Sequence, residues 1–219
     1  MFHCKRKSDR TVRARMYTTG FFIKRRQVSH CLITLLLALP LWGVNSDVLR
    51  AKSGIVTSRS MIASEVGISI MKRGGNAVDA AVATAFALAV TYPSAGNIGG
   101  GGFMLIRLAD GRVKTIDFRE TAPAAAFRDM FLDDSLNVIP DKSWNTSLAA
   151  GVPGSVAGFG LAYEKYGSAN WRDLVKPAVD LASNGFPLDY QNMNTFNHPY
   201  YQEYLSYDTE SAKIFLKEE

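Results

Sequence analysis

The residues best equipped for chemistry lie between Asn97 and Glu120. Gly99, Gly100, Gly101 and Gly102 stand in a row there. A phosphate cradle needs a helix N-terminus after its glycines, to aim N–H groups and a positive dipole end at the anion. Here the strand-like run Phe103 to Leu108 follows, which argues against nucleotide binding. Two readings remain for the glycines. They form a flexible link, or they permit a close approach of backbone to backbone or backbone to ligand at the entry to a central strand, which only glycine tolerates. Arg119, in Asp117-Phe118-Arg119-Glu120, carries a planar fork able to hold a carboxylate through two parallel hydrogen bonds, which lysine cannot reproduce. Its spacing equally allows a surface ion pair with Asp117 or Glu120.

Other candidates are weaker. Asp133, Asp134 and Asp141 lack the ligand spacing of a calcium loop and read as a solvated turn region. His198, beside Pro199 and among Tyr190, Tyr200, Tyr201 and Tyr204, reads as a packed or surface histidine. Asn145-Thr146-Ser147 matches a glycosylation acceptor, relevant only in a source that glycosylates exported proteins. Cys4 and Cys31 both fall within the first 46 residues, and His198 is the single histidine after them. Residues 47–219 therefore offer no disulfide, no thiolate metal site and no Cys-His or Ser-His-Asp centre, and no metal or cofactor is expected.

The first 46 residues hold nine Lys or Arg against one acid, Asp9, and close with the apolar run Cys31 to Val44. This is the layout of a secretory signal, and the run is short for a bilayer span. Val44-Asn45-Ser46 supplies small residues for cleavage, so 1–46 reads as a basic extension with a signal peptide. The mature part is expected to be secreted or periplasmic, with no stable membrane span. An uncleaved anchor or a buried helix is the alternative, and a start at Met16 would leave a more ordinary signal. Residues 47–219 hold sixteen Lys or Arg against nineteen Asp or Glu, a net charge of −3. The basic character thus belongs to the leader, and no nucleic-acid footprint remains.

The elements that must position Arg119 follow from pattern. Gly54 to Thr57 reads as a short strand. Ser60 caps a helix with Ile62, Val66 and Ile70 on one face, ended by Gly74-Gly75. Asn76 caps a second helix, Ala77 to Val90, so apolar that it must be covered on nearly all sides, and Tyr92-Pro93 stops it. Asp110-Gly111 turns a hairpin between Phe103–Leu108 and Arg112–Arg119. The first of these strands is apolar on both faces, which predicts a central, covered strand. Val113, Thr115, Asp117 and Arg119 share one face of the second; Lys114, Ile116, Phe118 and Glu120 share the other. Gly151-Val152-Pro153-Gly154 introduces a helix that ends near Gly167. Another runs from Asn170 to Asn184-Gly185, with a kink expected at Pro177. Phe196 to Tyr207 reads as an aromatic loop.

Four motifs, in order, resemble the amino-terminal part of the γ-glutamyltranspeptidase family. They are Gly74-Gly75-Asn76-Ala77-Val78-Asp79-Ala80-Ala81-Val82-Ala83, Asn97-Ile98-Gly99-Gly100-Gly101-Gly102-Phe103, Asp117-Phe118-Arg119-Glu120-Thr121-Ala122-Pro123 and Gly151-Val152-Pro153-Gly154. The resemblance implies an α/β (α+β) fold, the αββα sandwich of N-terminal-nucleophile hydrolases, incomplete in this chain. It implies a precursor that cuts itself into two subunits, exposing a threonine whose own α-amine serves as base. It places Arg119 on the α-carboxylate of the γ-glutamyl group, with Glu120 orienting it and Gly99 to Gly102 structural near the site. Implied substrates are glutathione and other γ-glutamyl compounds, with amino acid or peptide acceptors.

Residues 47–219 match only the first third to two-fifths of such a proenzyme. The nucleophile, the oxyanion hole and the small subunit are expected to lie outside, so no catalytic residue is assigned in this chain and the fragment alone is expected to be inactive. The alternatives are a glutaryl-type amide acylase of the same class and a non-catalytic exported binding or degenerate fragment.

Overall fold

The computed structural model describes residues 50–144 and 146–216. The segment read as a signal, both cysteines, and Asn145 lie outside the described residues. Residues 51–219 form one compact unit. It opens without the expected strand, because Gly54 to Thr57 is irregular and has no partner strand among the described residues. Helix α1, Met61–Lys72, starts at Ser60, whose hydroxyl accepts from the Ala63 N–H at 3.3 Å. Its deepest stripe is Ala63, Gly67 and Ile70, with Ile62 and Val66 only half-buried. The small residues let α1 lie close on the next helix. A β-carbon at Gly67 would collide with Thr84 Oγ1. Gly74, at φ 94°, makes the left-handed turn out of α1.

Helix α2, Ala77–Thr91, begins with a reciprocal cap. Asn76 Oδ1 accepts from the Val78 and Asp79 N–H groups, and an Asp79 oxygen accepts from the Asn76 N–H at 2.9 Å. Two further helices cover α2, namely α3, Ser155–Tyr166, and α4, Trp171–Asn184, which continues through Pro177. Val82, Ala83 and Phe86 of α2 meet Phe159 and Ala162 of α3 and Leu174 and Ala178 of α4 in one core. Phe86 sits edge-on to both Phe159 (5.2 Å) and Trp171 (5.6 Å).

Strands β1, Phe103–Arg107, and β2, Val113–Asp117, form an antiparallel hairpin in the register Phe103↔Asp117 to Arg107↔Val113. The connection is longer than a two-residue turn. Leu108 N–H donates to Arg112 C=O and Gly111 N–H to Leu108 C=O, with Gly111 at φ 86°, the three-residue loop with a glycine bulge. Ile106 and Ile116 face the core. The opposite face corrects the expectation of a central, covered strand. β2 is the one strand paired with β1 among the described residues, and no described element packs over this face, so Phe103 is 68% and Leu105 73% exposed.

The aromatic segment is also corrected. Phe196 to Tyr207 is not a loop but falls in the end of α5, Tyr190–Asn197, and in α6, Pro199–Ser206, with a third short helix, α7, Thr209–Phe215, beyond it. Asp189, His198 and Asp208 cap them, and Pro199 takes the first turn of α6, where its missing N–H costs nothing. Asn192 anchors α5 by donating from Nδ2 to the Thr91 carbonyl at 2.9 Å. Among the described residues no helix is long and apolar enough to cross a membrane.

Candidate functional site

Arg119 follows directly on β2, where the chain changes partners. Phe118 N–H donates to Gly102 C=O at 3.0 Å and Gly102 N–H to Phe118 C=O at 3.3 Å. Three residues later, Thr121 and Val152 exchange hydrogen bonds at 3.3 and 2.8 Å. Arg119 and Glu120 span the gap between these pairings. Phe118 anchors the segment below, edge-on to Phe159 at 5.6 Å and fitted against Gly158, where a β-carbon would collide with its ring.

Glycine makes the crowding possible. A β-carbon at Gly101 would lie 2.5 Å from the Phe118 carbonyl oxygen and 2.8 Å from Arg119 Cα. One at Gly154 would collide with the same oxygen, and one at Gly151 would sit 3.0 Å from Glu120 Cβ. Gly100 and Gly102 are similarly tight, against the Asn97 side chain and the Phe118 ring. Gly99 has open space, so close approach accounts for three of the four consecutive glycines. The first free amides of α3, on Gly154 and Ser155, both donate to the Gly100 carbonyl at 2.8 and 2.9 Å. The glycine run thus supplies an acceptor to a helix N-terminus rather than a cradle for phosphate.

The Arg119 side chain is 61% exposed, and its Nε donates to Glu120 Oε2 at 3.1 Å. Its guanidinium carbon lies 5.7 Å from the centroid of the Phe103 ring. The backbone N–H of Arg119 donates to Asp117 Oδ1 at 3.0 Å, so Asp117 fixes the main chain while Glu120 fixes the fork. The Glu120 carboxyl is held below the usual glutamate value, first by its own backbone N–H and then by the Arg119 guanidinium. The pair anticipated from spacing is therefore present, and through Nε alone, which leaves the outer Nη edge of the fork without a hydrogen bond among the described residues.

The remaining candidates are turned to local structure. Asp133 Oδ1 accepts from the N–H groups of Ser135 and Asn137, and Asp141 Oδ1 from Trp144 Nε1 at 2.8 Å. His198 Nδ1 accepts from the Tyr200 N–H at the start of α6. Two polar residues that the sequence did not single out are buried here. Ser155 is 2% exposed and donates from Oγ to Asn97 Oδ1 at 2.9 Å. Asp79 is fully buried and accepts from Ser168 Oγ at 2.7 Å and from the Ser168 and Ala169 N–H groups, besides its cap. Its place as the sole charge of α2 was the available signal.

The family profile described as Gamma-glutamyltranspeptidase matches residues 63–219. The chain belongs to the gamma-glutamyltranspeptidase family. It is 51% identical over 180 residues to the glutathione hydrolase proenzyme of Escherichia coli K12, a match covering 81% of this chain and 31% of that protein. The corresponding proenzyme of Pseudomonas sp. strain A14 is 48% identical over 170 residues, 76% of this chain and 30% of its own length. The chain thus spans about a third of the length of these relatives. Among solved structures, Helicobacter pylori gamma-glutamyltranspeptidase superposes with a TM-score of 0.74 at 44% identity, over 78% of this chain and 48% of that one. The helices and hairpin are accordingly part of the αββα sandwich of the N-terminal-nucleophile hydrolases.

Proposed function

We propose that residues 47–219 supply the carboxylate-binding wall of a γ-glutamyl pocket, in an exported proenzyme that transfers or hydrolyses γ-glutamyl groups. The observation that carries this is Arg119, seated where the chain changes partners, exposed, and oriented through Nε by Glu120, with its Nη edge making no hydrogen bond among the described residues. A fork so held grips an α-carboxylate through two parallel charge-assisted hydrogen bonds. In this reading the threonine of the small subunit, outside this chain, attacks the γ-carbonyl. An ester forms, the C–N bond breaks and the amine leaves with a proton. Water or the amine of an amino acid or peptide then takes the acyl group. Glutathione is the expected donor.

In the full-length protein carrying this chain, Arg119→Lys should raise KM for a γ-glutamyl anilide about 10- to 100-fold, the loss of one charge-assisted hydrogen bond. Unchanged kinetics would remove Arg119 from the site. The isolated chain should release no product above blank.

A further inference from the structure

Ser155 is a buried serine whose hydroxyl has one partner among the described residues, the side chain of Asn97, 58 residues earlier. That bond joins two others across the same seam, from the Gly154 and Ser155 amides to the Gly100 carbonyl. Together they tie the Asn97–Gly102 segment to the start of α3. These are the two backbones between which Arg119 is suspended. Phe118 pairs with Gly102 on one side, and Thr121 pairs with Val152, just ahead of α3, on the other. The spacing of the two partners sets how far the chain must reach from Phe118 to Thr121, and hence where the guanidinium points. The Phe118 ring fills the space between Gly102 and Gly158 below, while around Arg119 itself Gly101 and Gly154 meet the Phe118 and Arg119 backbone directly. On that side the seam's hydrogen bonds hold the spacing.

We propose that Asn97 and Ser155 are positioning residues for Arg119: their side-chain hydrogen bond closes the seam that fixes the arginine fork against the donor's carboxylate. This rests on the reading of Arg119 as the carboxylate clamp. Neither residue touches the donor in this scheme. Opening the seam loosens donor binding and leaves the acyl-transfer chemistry intact, so the effect falls on KM and not on kcat.

The test uses the full-length enzyme and a γ-glutamyl anilide, with rates taken per molecule of cleaved enzyme. Ser155→Ala and Asn97→Ala should each raise KM about three- to tenfold, the worth of one hydrogen bond, with kcat within about twofold. The double variant should be no worse than either single one, because both remove the same bond. In an Arg119→Lys background, Ser155→Ala should add less than about twofold, because the fork it positions is gone. A Ser155→Ala enzyme with unchanged KM but lower kcat or yield would overturn the proposal and leave Ser155 a folding residue. So would full additivity with Arg119→Lys. If Arg119→Lys alone leaves KM unchanged, the clamp itself fails; if it raises KM while Ser155→Ala is silent, positioning alone fails.

Discussion

Arg119 and Glu120 occupy neighbouring positions whose side chains would point to opposite faces of a continuing strand, yet they bond at 3.1 Å, because the strand ends at Asp117. Since the Glu120 carboxyl is held below the ordinary glutamate value, it is an anion at pH 5 as well as at pH 7. Glu120→Gln in the full-length enzyme should therefore raise KM about two- to fivefold at both values, the range of an exposed ion pair. A rise confined to pH 7 in a KM profile would mean that Glu120 titrates between them and does not orient the fork. At this scale the sequence was informative about residue type and poor about partners. The arginine fork and its acidic neighbours are adjacent in the chain and could be read directly. Ser155 could not, because a serine at a helix start reads as a capping residue, and no periodicity marks a partner 58 positions away.

Helix α2 has a dry carboxylate at its amino end, and that group ties the helix to the turn between α3 and α4. Burial pushes the Asp79 pKa up, but the Ser168 hydroxyl and the Asn76, Ser168 and Ala169 N–H groups outweigh it, so the folded value lies below 3.8. A depressed folded value means that the stabilisation is fully present above about pH 3.8 and is lost as pH falls through the folded pKa. Asp79→Asn should cost about 2–3 kcal/mol near neutrality by turning an NH₂ toward a ring of donors. In thermal melts this is a fall of roughly 5–10 °C. The gap between the two proteins should narrow in melts below pH 3.8; a gap constant with pH would show that the charge is not what holds the site. Helix boundaries were legible wherever a local rule applied, as at Ser60, Asn76, Gly74 and Gly185. Gly54 to Thr57 had β-forming residues but no strand to pair with among the described residues. The aromatic segment had good caps at Asp189 and Asp208, yet its tyrosines lack an apolar period, so a helix went unread.

Across the whole molecule, the apolar residues of the hairpin divide unequally. Ile106 and Ile116 enter the core, while Phe103, Leu105 and Val113 face outward with more than half of their surface exposed. A bare patch of this kind promotes self-association. Leu105→Lys should therefore leave the melting temperature of the chain within about 2 °C and reduce its association in sedimentation velocity, since exposed surface changes cost little stability. A large fall in melting temperature would show that the face is covered in solution. Alternation told which residues could be buried, but not whether both faces of β1 would be, because covering a sheet is a property of elements far apart in the chain.

Asp79 also stands 89 residues before Ser168, the residue that closes its site. At ribosomal speeds of about 5–20 residues per second, that partner follows roughly 5–20 s later. For most of this interval α2 is an apolar stretch whose later cover, α3 and α4, has not been made, and Asp79 is its single charged side chain. The carboxylate that ends dry and fully bonded first serves as the one charged group on a helix that must wait in water.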